Sequence, residues 1–278
     1  MNILQEPSIF DEKRSYYGEV PVEWDLSVLP PEALVDIAME RLSAAGVQLI
    51  EWRALLYRRL NVPIITKNFS YIIPDSSISL ASSTLSEMGL PESAPPPFLV
   101  RTEGDLYSKA TLHRLTDSVN FASVRYIALY PSSYISYLPS ELEETLSMTH
   151  VGCTGYPALP VRILIPRPAA LYASLLRLIV KSPKGRRPTR TILESDLSLL
   201  IRYHLYQMDP YHKYDDDDDS EDEDQDIIEA VALVQQWTLE KEWREGEEWI
   251  GHELSAIVSG TKGVESLLLR PMDNSACY

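Results

Sequence analysis

Three polar side chains at alternate positions are the first candidates for chemistry. Thr66, Asn68 and Ser70 follow one another in an extended stretch that ends at Ile73. Alternate side chains of a strand project from the same face. Their neutral oxygens could line a nucleotide pocket, although polar residues on a half-exposed strand need no function.

Two acidic residues are candidates for metal chemistry. Glu51 and Asp75 each lie at the end of a predicted core strand. Carboxylates at such positions could hold Mg²⁺ for a phosphoryl or nucleotidyl transfer. Both are alternative catalytic residues, Asp105 is a further alternative acid outside the predicted strands, and the sequence identifies no metal ligand.

A basic cluster in the C-terminal half could bind phosphate groups. Its candidate phosphate ligands are Lys184, Arg186, Arg187 and Arg190. No aromatic residues alternate with them, and the chain carries a formal net charge of −16. A solvated helix junction is therefore the simpler interpretation, and nucleic-acid binding is not expected. An alternative hypothesis is that the acidic run 215–226 folds back over the cluster as a pseudo-substrate.

The histidines and cysteines give little indication of a site. His113 in a predicted strand and His204 in a predicted helix have no accompanying nucleophile or ligand, so we interpret both as structural. Cys153 and Cys277 lack the spacing of metal ligands.

The N-terminus has no apolar leader and no apolar run is long enough to span a membrane, so we predict a location in the cytoplasm or nucleus.

The elements that would position these residues begin in the segment 46–85. A short apolar run follows Gly46, a helical pattern comes next, and an alternating stretch follows it. The predicted order is a strand at 47–50, a helix at 52–60, a strand at 62–73 and a second helix that ends at 89. Pro74 and Asp75 separate the last two of these elements.

Several short motifs in this segment carry a resemblance to a known family. They are Ala45-Gly46-Val47, Asn61-Val62-Pro63, Thr66 and Ile73-Pro74-Asp75. Their order and spacing resemble the core of the nucleotidyltransferase fold that DNA polymerase β shares, and in particular the small nucleotidyltransferases of the abortive-infection toxin type. The resemblance covers roughly residues 31–208. It includes a helix in which the family has an acidic residue followed by leucine, where this chain has Glu194, Asp196 and Leu197. It implies a mixed sheet flanked by helices.

The residues that would perform the chemistry of this family depart from its pattern. The chain has Arg53-Ala54 in place of Gly-Gly, Asn68-Phe69-Ser70 in place of Asp-x-Asp, and Tyr126-Ile127-Ala128 where a third carboxylate is expected. The family mechanism needs two Mg²⁺ ions held by carboxylates. Two lost carboxylates would weaken metal binding by several kcal/mol, at roughly 1–3 kcal/mol each. Arg53 would also crowd the turn at which phosphates approach the backbone.

These departures indicate a nucleotidyltransferase-like protein that is catalytically degenerate and binds a nucleotide or a protein partner. A bound nucleotide would contact Arg53, Thr66, Asn68 and Ser70, and no cofactor is expected. The alternative is an active enzyme with relocated acids, and only that enzyme would need Mg²⁺. A third possibility is an interaction protein that recruits a basic partner through its acidic run and a tryptophan-bearing helix. The sequence does not indicate the oligomeric state.

The whole chain is predicted to be an α/β protein with a helical C-terminal region. We expect an N-terminal arm at 1–29, a nucleotidyltransferase-like core at 30–166 and a helical region at 167–278, in which residues 214–226 form a disordered acidic loop. The other predicted elements are helices at 30–45, 140–146, 168–181, 189–208 and 227–248, strands at 98–101, 110–115, 124–129 and 161–166, and a proline-rich connection at 91–97.

Overall fold

The computed structural model describes five segments of the chain, residues 29–115, 125–147, 160–182, 188–209 and 220–267. Their α-helices are α1 (Pro31–Ala44), α2 (Ala54–Arg59), α3 (Ile78–Glu87), α4 (Pro97–Glu103), α5 (Asp105–Ser108), α6 (Pro168–Lys181), α7 (Pro188–Leu200), α8 (Ser220–Leu239) and α9 (Trp249–Val258). Proline opens α1, α4 and α6. Its fixed φ suits the first helical turn, where its missing N–H leaves no bond unmade.

The strands form one mixed sheet. They are β1 (Ile50–Trp52), β2 (Phe69–Ile73), β3 (Glu92–Ser93), β4 (Thr111–Arg114), β5 (Tyr126–Pro131), β6 (Leu142–Leu146) and β7 (Arg162–Pro166). Their order in the sheet is β3-β4-β5-β2-β1-β7-β6. The pairs β1–β7 and β2–β5 are parallel, and the other neighbours are antiparallel. The chain is therefore an α/β protein with a mixed seven-stranded sheet flanked by helices and a helical C-terminal part.

The central strand β2 separates two hydrophobic cores. Phe69, Tyr71 and Ile73 lie in the core that also contains buried residues of α1 and α3. Ile72 lies in the other core, together with Trp52 of β1 and the buried residues of α6 and α7. Because neighbouring side chains of a strand point to opposite faces, one short apolar strand supports both layers.

The larger of these cores extends across the predicted boundary at residue 166. It contains Trp52 and Tyr130 from the sheet, and Leu175, Trp237 and Ile250 from the C-terminal helices. Helix α6 is buried along almost its whole length and packs against α7 and β7. The helical C-terminal part therefore shares its core with the sheet.

Two predicted elements are wrong. Residues 98–101, expected as a strand, lie in α4, because Pro97 begins a helix and a short apolar run fits either element. Residues 140–146, expected as an acidic helix, form a 3₁₀ turn (Pro139–Glu141) followed by β6. Pairing with β7 along the whole of β6 overrides the helical preference of its glutamates.

The other predicted strands and helices are confirmed with shifted boundaries. The stretch 62–73 is extended as a strand only from Phe69, and the run 47–50 contributes only Ile50 to β1. The predicted helix at 168–181 has the bounds of α6. The predicted helix at 189–208 corresponds to α7 and a π-helical turn (Ile201–Leu205).

Helix α8 begins inside the acidic run. Residues 220–226 are helical, whereas the sequence predicts them to be part of a disordered loop that starts at residue 214. This helix ends at Leu239, nine residues before the predicted end at 248, and α9 follows it.

Some predictions fall outside the described residues. They concern residues 1–28 of the predicted arm, the predicted turn near 117 and both cysteines. Within the described segments, no helix has the length and apolar character needed to cross a membrane.

Candidate functional site

Arg53 lies at the centre of a group of charged and phenolic side chains. Its Nε donates to Asp196 Oδ2 at 3.3 Å and its Nη1 donates to Glu103 Oε2 at 3.1 Å. Tyr57 Oη donates to the same Asp196 oxygen at 3.1 Å. These four residues, which we call the Arg53 cluster, connect the turn between β1 and α2 with the end of α4 and the middle of α7.

The backbone of Arg53 has an unusual conformation. Its φ of 55° and ψ of −126° fall in a region that glycine adopts without strain and other residues avoid. Arg53 directly precedes α2, and its carbonyl accepts a hydrogen bond from the Tyr57 N–H at 2.8 Å, which closes the first helical turn. Arg53 therefore forms a strained turn, at the position that the sequence analysis matched to a glycine.

Burial and charge act in opposite directions within the Arg53 cluster. Burial alone would lower the pKa of Arg53, but Asp196 and the surrounding tyrosines raise it well above its usual value. Burial raises the pKa of Asp196, and the Arg53 charge and the Tyr57 hydrogen bond offset only part of that rise. Arg53 is therefore the cation that compensates a buried carboxylate.

Asn68 joins two elements next to the Arg53 cluster. Its Oδ1 accepts a hydrogen bond from the Tyr126 N–H at 3.1 Å, and its Nδ2 donates to Tyr107 Oη. Burial raises the pKa of Tyr107 to about 12, so this hydroxyl stays protonated at neutral pH. The amide at the first Asp-x-Asp position thus connects β2, β5 and α5.

The other predicted pocket residues face the protein interior. Ser70 is buried in β2. Thr66 Oγ1 is also buried, and it has no hydrogen-bond partner within the part of the chain that the structure describes. Thr66 precedes β2 rather than lying in it. The structure therefore places Asn68 against Tyr107 of α5 and Arg53 against Glu103 of α4. Ser70 and the Thr66 hydroxyl are buried apart from these contacts.

Aromatic side chains fill the space above the central strands. The rings of Trp52 and Tyr130 meet edge to face, with their centroids 4.4 Å apart, and both residues have no exposed surface. Tyr130 also stacks on Tyr134 at 6.3 Å. Tyr126-Ile127-Ala128, the match to the third carboxylate, is buried in β5. The sheet surface that carries Ser70 is therefore covered by tightly packed rings.

The two alternative acids are separated in the sheet. Glu51 is buried in β1, where Arg59 Nε and Nη2 donate to its carboxylate, the second at 3.1 Å. Asp75 is exposed beyond β2 and accepts hydrogen bonds from Ser132 Oγ and the Ser133 N–H, both at 2.9 Å. Hydrogen bonds from Ser133 and Ser132 lower the pKa of Asp75.

The strand pairing shows how far apart these two acids lie. Glu51 pairs with Tyr71, and Asp75 follows Tyr71 by four residues. At 3.3 Å per residue, the two acids are on the order of 13 Å apart along the strand axis. Two metal ions that share a transferred phosphate lie only about 3.5–4 Å apart, so Glu51 and Asp75 do not form one site.

The basic cluster is described only at Arg190. This residue is buried, and its guanidinium donates to Glu194 Oε1 at 2.7 Å and to the carbonyls of Ile179, Ser182 and Leu267 at 3.0, 3.1 and 2.7 Å. Arg190 thus ties α7 to the end of α6 and to the segment after α9, and it is not available to a phosphate. Lys184, Arg186 and Arg187 lie outside the described residues, as do residues 215–219 of the acidic run proposed to cover them.

Both histidines are engaged by neighbouring core groups. His113 Nδ1 donates to the Leu90 carbonyl at 2.8 Å and its Nε2 lies 3.1 Å from Ser82 Oγ. His204 Nδ1 lies 3.0 Å from Tyr172 Oη. Burial lowers the pKa of both imidazoles, so both are neutral at pH 7. Among the described residues, no three His, Cys, Asp or Glu side chains are placed to hold a metal ion.

Glu103 and Tyr57 of the Arg53 cluster were not predicted from the sequence. Glu103 lies just after the residues predicted as a strand, and Tyr57 lies in a helix with no polar pattern. Asp196 could have been found from the sequence, because it belongs to the matched motif of an acidic residue followed by leucine.

Comparisons of the chain with models of known protein families, with curated proteins and with solved structures find no match.

Proposed function

We propose that this chain is a nucleotidyltransferase-like protein that has lost the transfer reaction and acts as a binding module. The observation that carries the proposal is that Glu103 and Asp196 of the same chain form ion pairs with Arg53. Arg53 occupies the position at which the nucleotidyltransferase family has glycine. A phosphate that approached this turn would have to displace one of two carboxylates from the guanidinium.

The residues at the Asp-x-Asp match support the same conclusion. Asn68 uses both ends of its amide on Tyr126 and Tyr107, and Ser70 is buried. Neither side chain carries the negative charge with which carboxylates hold Mg²⁺. Asn68 instead contributes hydrogen bonds that fix β2 to β5 and α5, which is a structural role.

The geometry favours a protein partner over a nucleotide. Trp52 and Tyr130 are fully buried, and Arg53, whose charge acts on Tyr130, is already paired with Asp196. A surface for a partner protein needs no cavity, so the packed sheet can serve as a scaffold for it. A nucleotide remains the second candidate occupant because Arg53 keeps part of its side chain, 14%, exposed.

A transfer assay on the full-length chain tests the loss of the reaction. Each nucleoside triphosphate is incubated with the protein and Mg²⁺ or Mn²⁺, and release of pyrophosphate is measured. We expect no release above the protein-free background from the wild type or from Asp75→Asn. The control is Glu87→Gln, which removes an exposed acid at the end of α3.

One pattern of results would overturn this proposal. It is metal-dependent pyrophosphate release that persists in Glu87→Gln and disappears in Asp75→Asn, while both variants keep the wild-type melting temperature. That pattern would establish an active enzyme with a relocated carboxylate.

A further inference from the structure

Strand β6 is an edge of the sheet. It is the last strand in the sheet order, and β7 is its only neighbour among the described strands. The strand at the opposite edge, β3, spans only Glu92–Ser93, whereas β6 spans Leu142–Leu146. A strand edge of this length presents a row of backbone groups that another strand can pair with.

The hydrogen-bond pattern identifies which groups of β6 point outward. The Ser147 N–H donates to the Val161 carbonyl at 2.8 Å, and the Arg167 N–H donates to the Glu141 carbonyl at 2.9 Å. In an antiparallel pair, alternate residues bond to the partner strand. Residues 143 and 145 therefore bond to β7, and the N–H and C=O groups of residues 142, 144 and 146 point away from it.

Within the described segments, two of these outward groups have partners and four do not. The Leu142 N–H bonds to the Pro139 carbonyl, and the Leu146 carbonyl accepts from Arg59 Nη2 at 2.7 Å. No partner is found for the Leu142 C=O, the Glu144 N–H and C=O or the Leu146 N–H within the described segments. The free edge is thus centred on Glu144.

The side chains around this edge are acidic and exposed. Glu143 and Glu144 are both exposed. Glu144 forms an ion pair with Arg162 of β7, whereas Glu143 has no ion pair with any described residue. Leu146 adds an apolar side chain that is 38% exposed. Among the described residues, Glu143 is therefore an uncompensated negative charge beside backbone groups that have no partner there.

We propose that the outer edge of β6 binds an extended, basic segment of a partner protein by strand addition. The incoming backbone would bond to the free groups of Leu142, Glu144 and Leu146, and a lysine or arginine would lie opposite Glu143. This deepens the proposed function, because it assigns a surface and a chemical class to the partner of the binding module.

A second copy of the chain fits this edge less well. Antiparallel pairing of two β6 strands about their centre would place Glu144 opposite its own copy, and like charges directly opposite each other destabilise a strand pair. Charged residues on an edge strand commonly prevent such self-association. The same charges attract a basic strand, so the edge discriminates between the two occupants.

The test uses the full-length protein and a short fluorescent peptide of alternating threonine and lysine. Binding is followed by anisotropy in wild type, Glu144→Pro and Glu144→Gln. Proline removes the outward N–H but no bond to β7, and it is tolerated on strand edges. Glutamine is the matched control, because it changes the charge and keeps the N–H. We expect Glu144→Pro to weaken binding about tenfold or more, and Glu144→Gln to weaken it by less than about threefold.

A second peptide, N-methylated at alternate positions, gives an independent readout. It keeps the charge of the first peptide but cannot donate backbone hydrogen bonds along one edge, so we expect it not to bind. Equal binding of the two peptides, or equal binding by the Pro and Gln variants, would overturn the proposal and leave only attraction to an acidic surface. No binding of either peptide would overturn it as well. These outcomes do not depend on the pyrophosphate assay, so the two proposals can fail separately.

Discussion

Arg53 combines a strained backbone with a compensating charge. A residue other than glycine at φ 55°, ψ −126° costs on the order of 1–3 kcal/mol. Arg53 forms its only described ion pairs with Glu103 and Asp196. The stabilisation from these contacts offsets the strain. The side chain and the backbone at this position therefore have opposite effects on stability.

Replacing Arg53 with alanine or glycine separates these two effects. Both variants lose the ion pairs and leave Asp196 buried without its cation, so we expect each to be destabilised by about 3–5 kcal/mol. Glycine also removes the strain, so Arg53→Gly should be more stable than Arg53→Ala by roughly 1–2 kcal/mol. Urea denaturation of the two variants measures this difference. An alanine variant at least as stable as the glycine variant would show that the turn is unstrained.

At the scale of elements, Glu141 connects three parts of the fold. Its carboxylate accepts from Arg177 of α6 at 3.0 Å, from Arg244 in the α8–α9 connection at 2.9 Å and from the Leu138 N–H at 2.7 Å. Burial alone would raise the pKa of Glu141, but the hydrogen bonds and charges of Arg244, Leu138 and Arg177 outweigh it and lower the pKa. The ionised carboxylate is therefore the stabilising form.

Substituting Glu141 with glutamine should destabilise the protein by roughly 2–4 kcal/mol at pH 7, because Arg244 loses its only described ion pair and Arg177 keeps only Glu247. The folded pKa lies below the unfolded value near 4.5. The wild-type contribution is therefore fully present above about pH 4.5 and is lost as the pH falls through the folded pKa. Urea denaturation at several pH values should show a constant difference from about pH 7 to pH 5 and a smaller one at about pH 3.5. A difference that grows in acid would contradict this account.

Gly104 allows two elements to approach closely. It lies between α4 and α5 with a φ of 64°, and a Cβ at this position would meet Thr189 Oγ1 at 2.3 Å and the Thr189 backbone nitrogen at 2.7 Å. This contact places the end of α4, with Glu103, against the start of α7.

Gly104→Ala should therefore destabilise the fold by roughly 2–4 kcal/mol, through backbone strain and overpacking. The double variant with Thr189→Ala should recover little of this loss, because the backbone nitrogen of residue 189 remains in place. The melting temperatures of both variants provide the measurement. Full recovery in the double variant would show that only the threonine side chain restricts this position.

At the scale of the whole molecule, the sheet and the C-terminal helices share one core. The cluster that contains Trp52 and Tyr130 also contains Trp237, Trp243 and Ile250. Neither part can be exposed to solvent without opening the apolar surface of the other, so the two parts should unfold together.

The full-length chain should therefore unfold in a single cooperative transition. Tryptophan fluorescence reports the shared core, and far-ultraviolet circular dichroism reports the helices. We expect the two signals to give the same midpoint in urea. Two separate midpoints would show that the sheet and the helical part are independent domains.

Sequence patterns predicted the fold better than the site. Helix α6 could be delimited because it is almost wholly apolar, and β4, β5 and β7 follow from their apolar runs. Strand β6 could not be predicted, because its pairing with β7 is a long-range contact and its glutamates favour a helix. The Arg53 cluster could not be derived either, since Glu103 and Asp196 lie 50 and 143 residues from Arg53 along the chain.

The central claim is that the fold carries no metal-dependent nucleotide chemistry, and a thermal-shift titration tests it most directly. The full-length protein is melted with each nucleoside triphosphate, with and without Mg²⁺, and with Mg²⁺ alone to correct for binding to the acidic run. A ligand at a hundred times its dissociation constant would add about 2.7 kcal/mol. We predict that no triphosphate stabilises the protein more with Mg²⁺ than without it, once the effect of Mg²⁺ alone has been subtracted. A triphosphate that raises the melting temperature by several degrees only with Mg²⁺, and no longer does so in Asp75→Asn, would contradict the account.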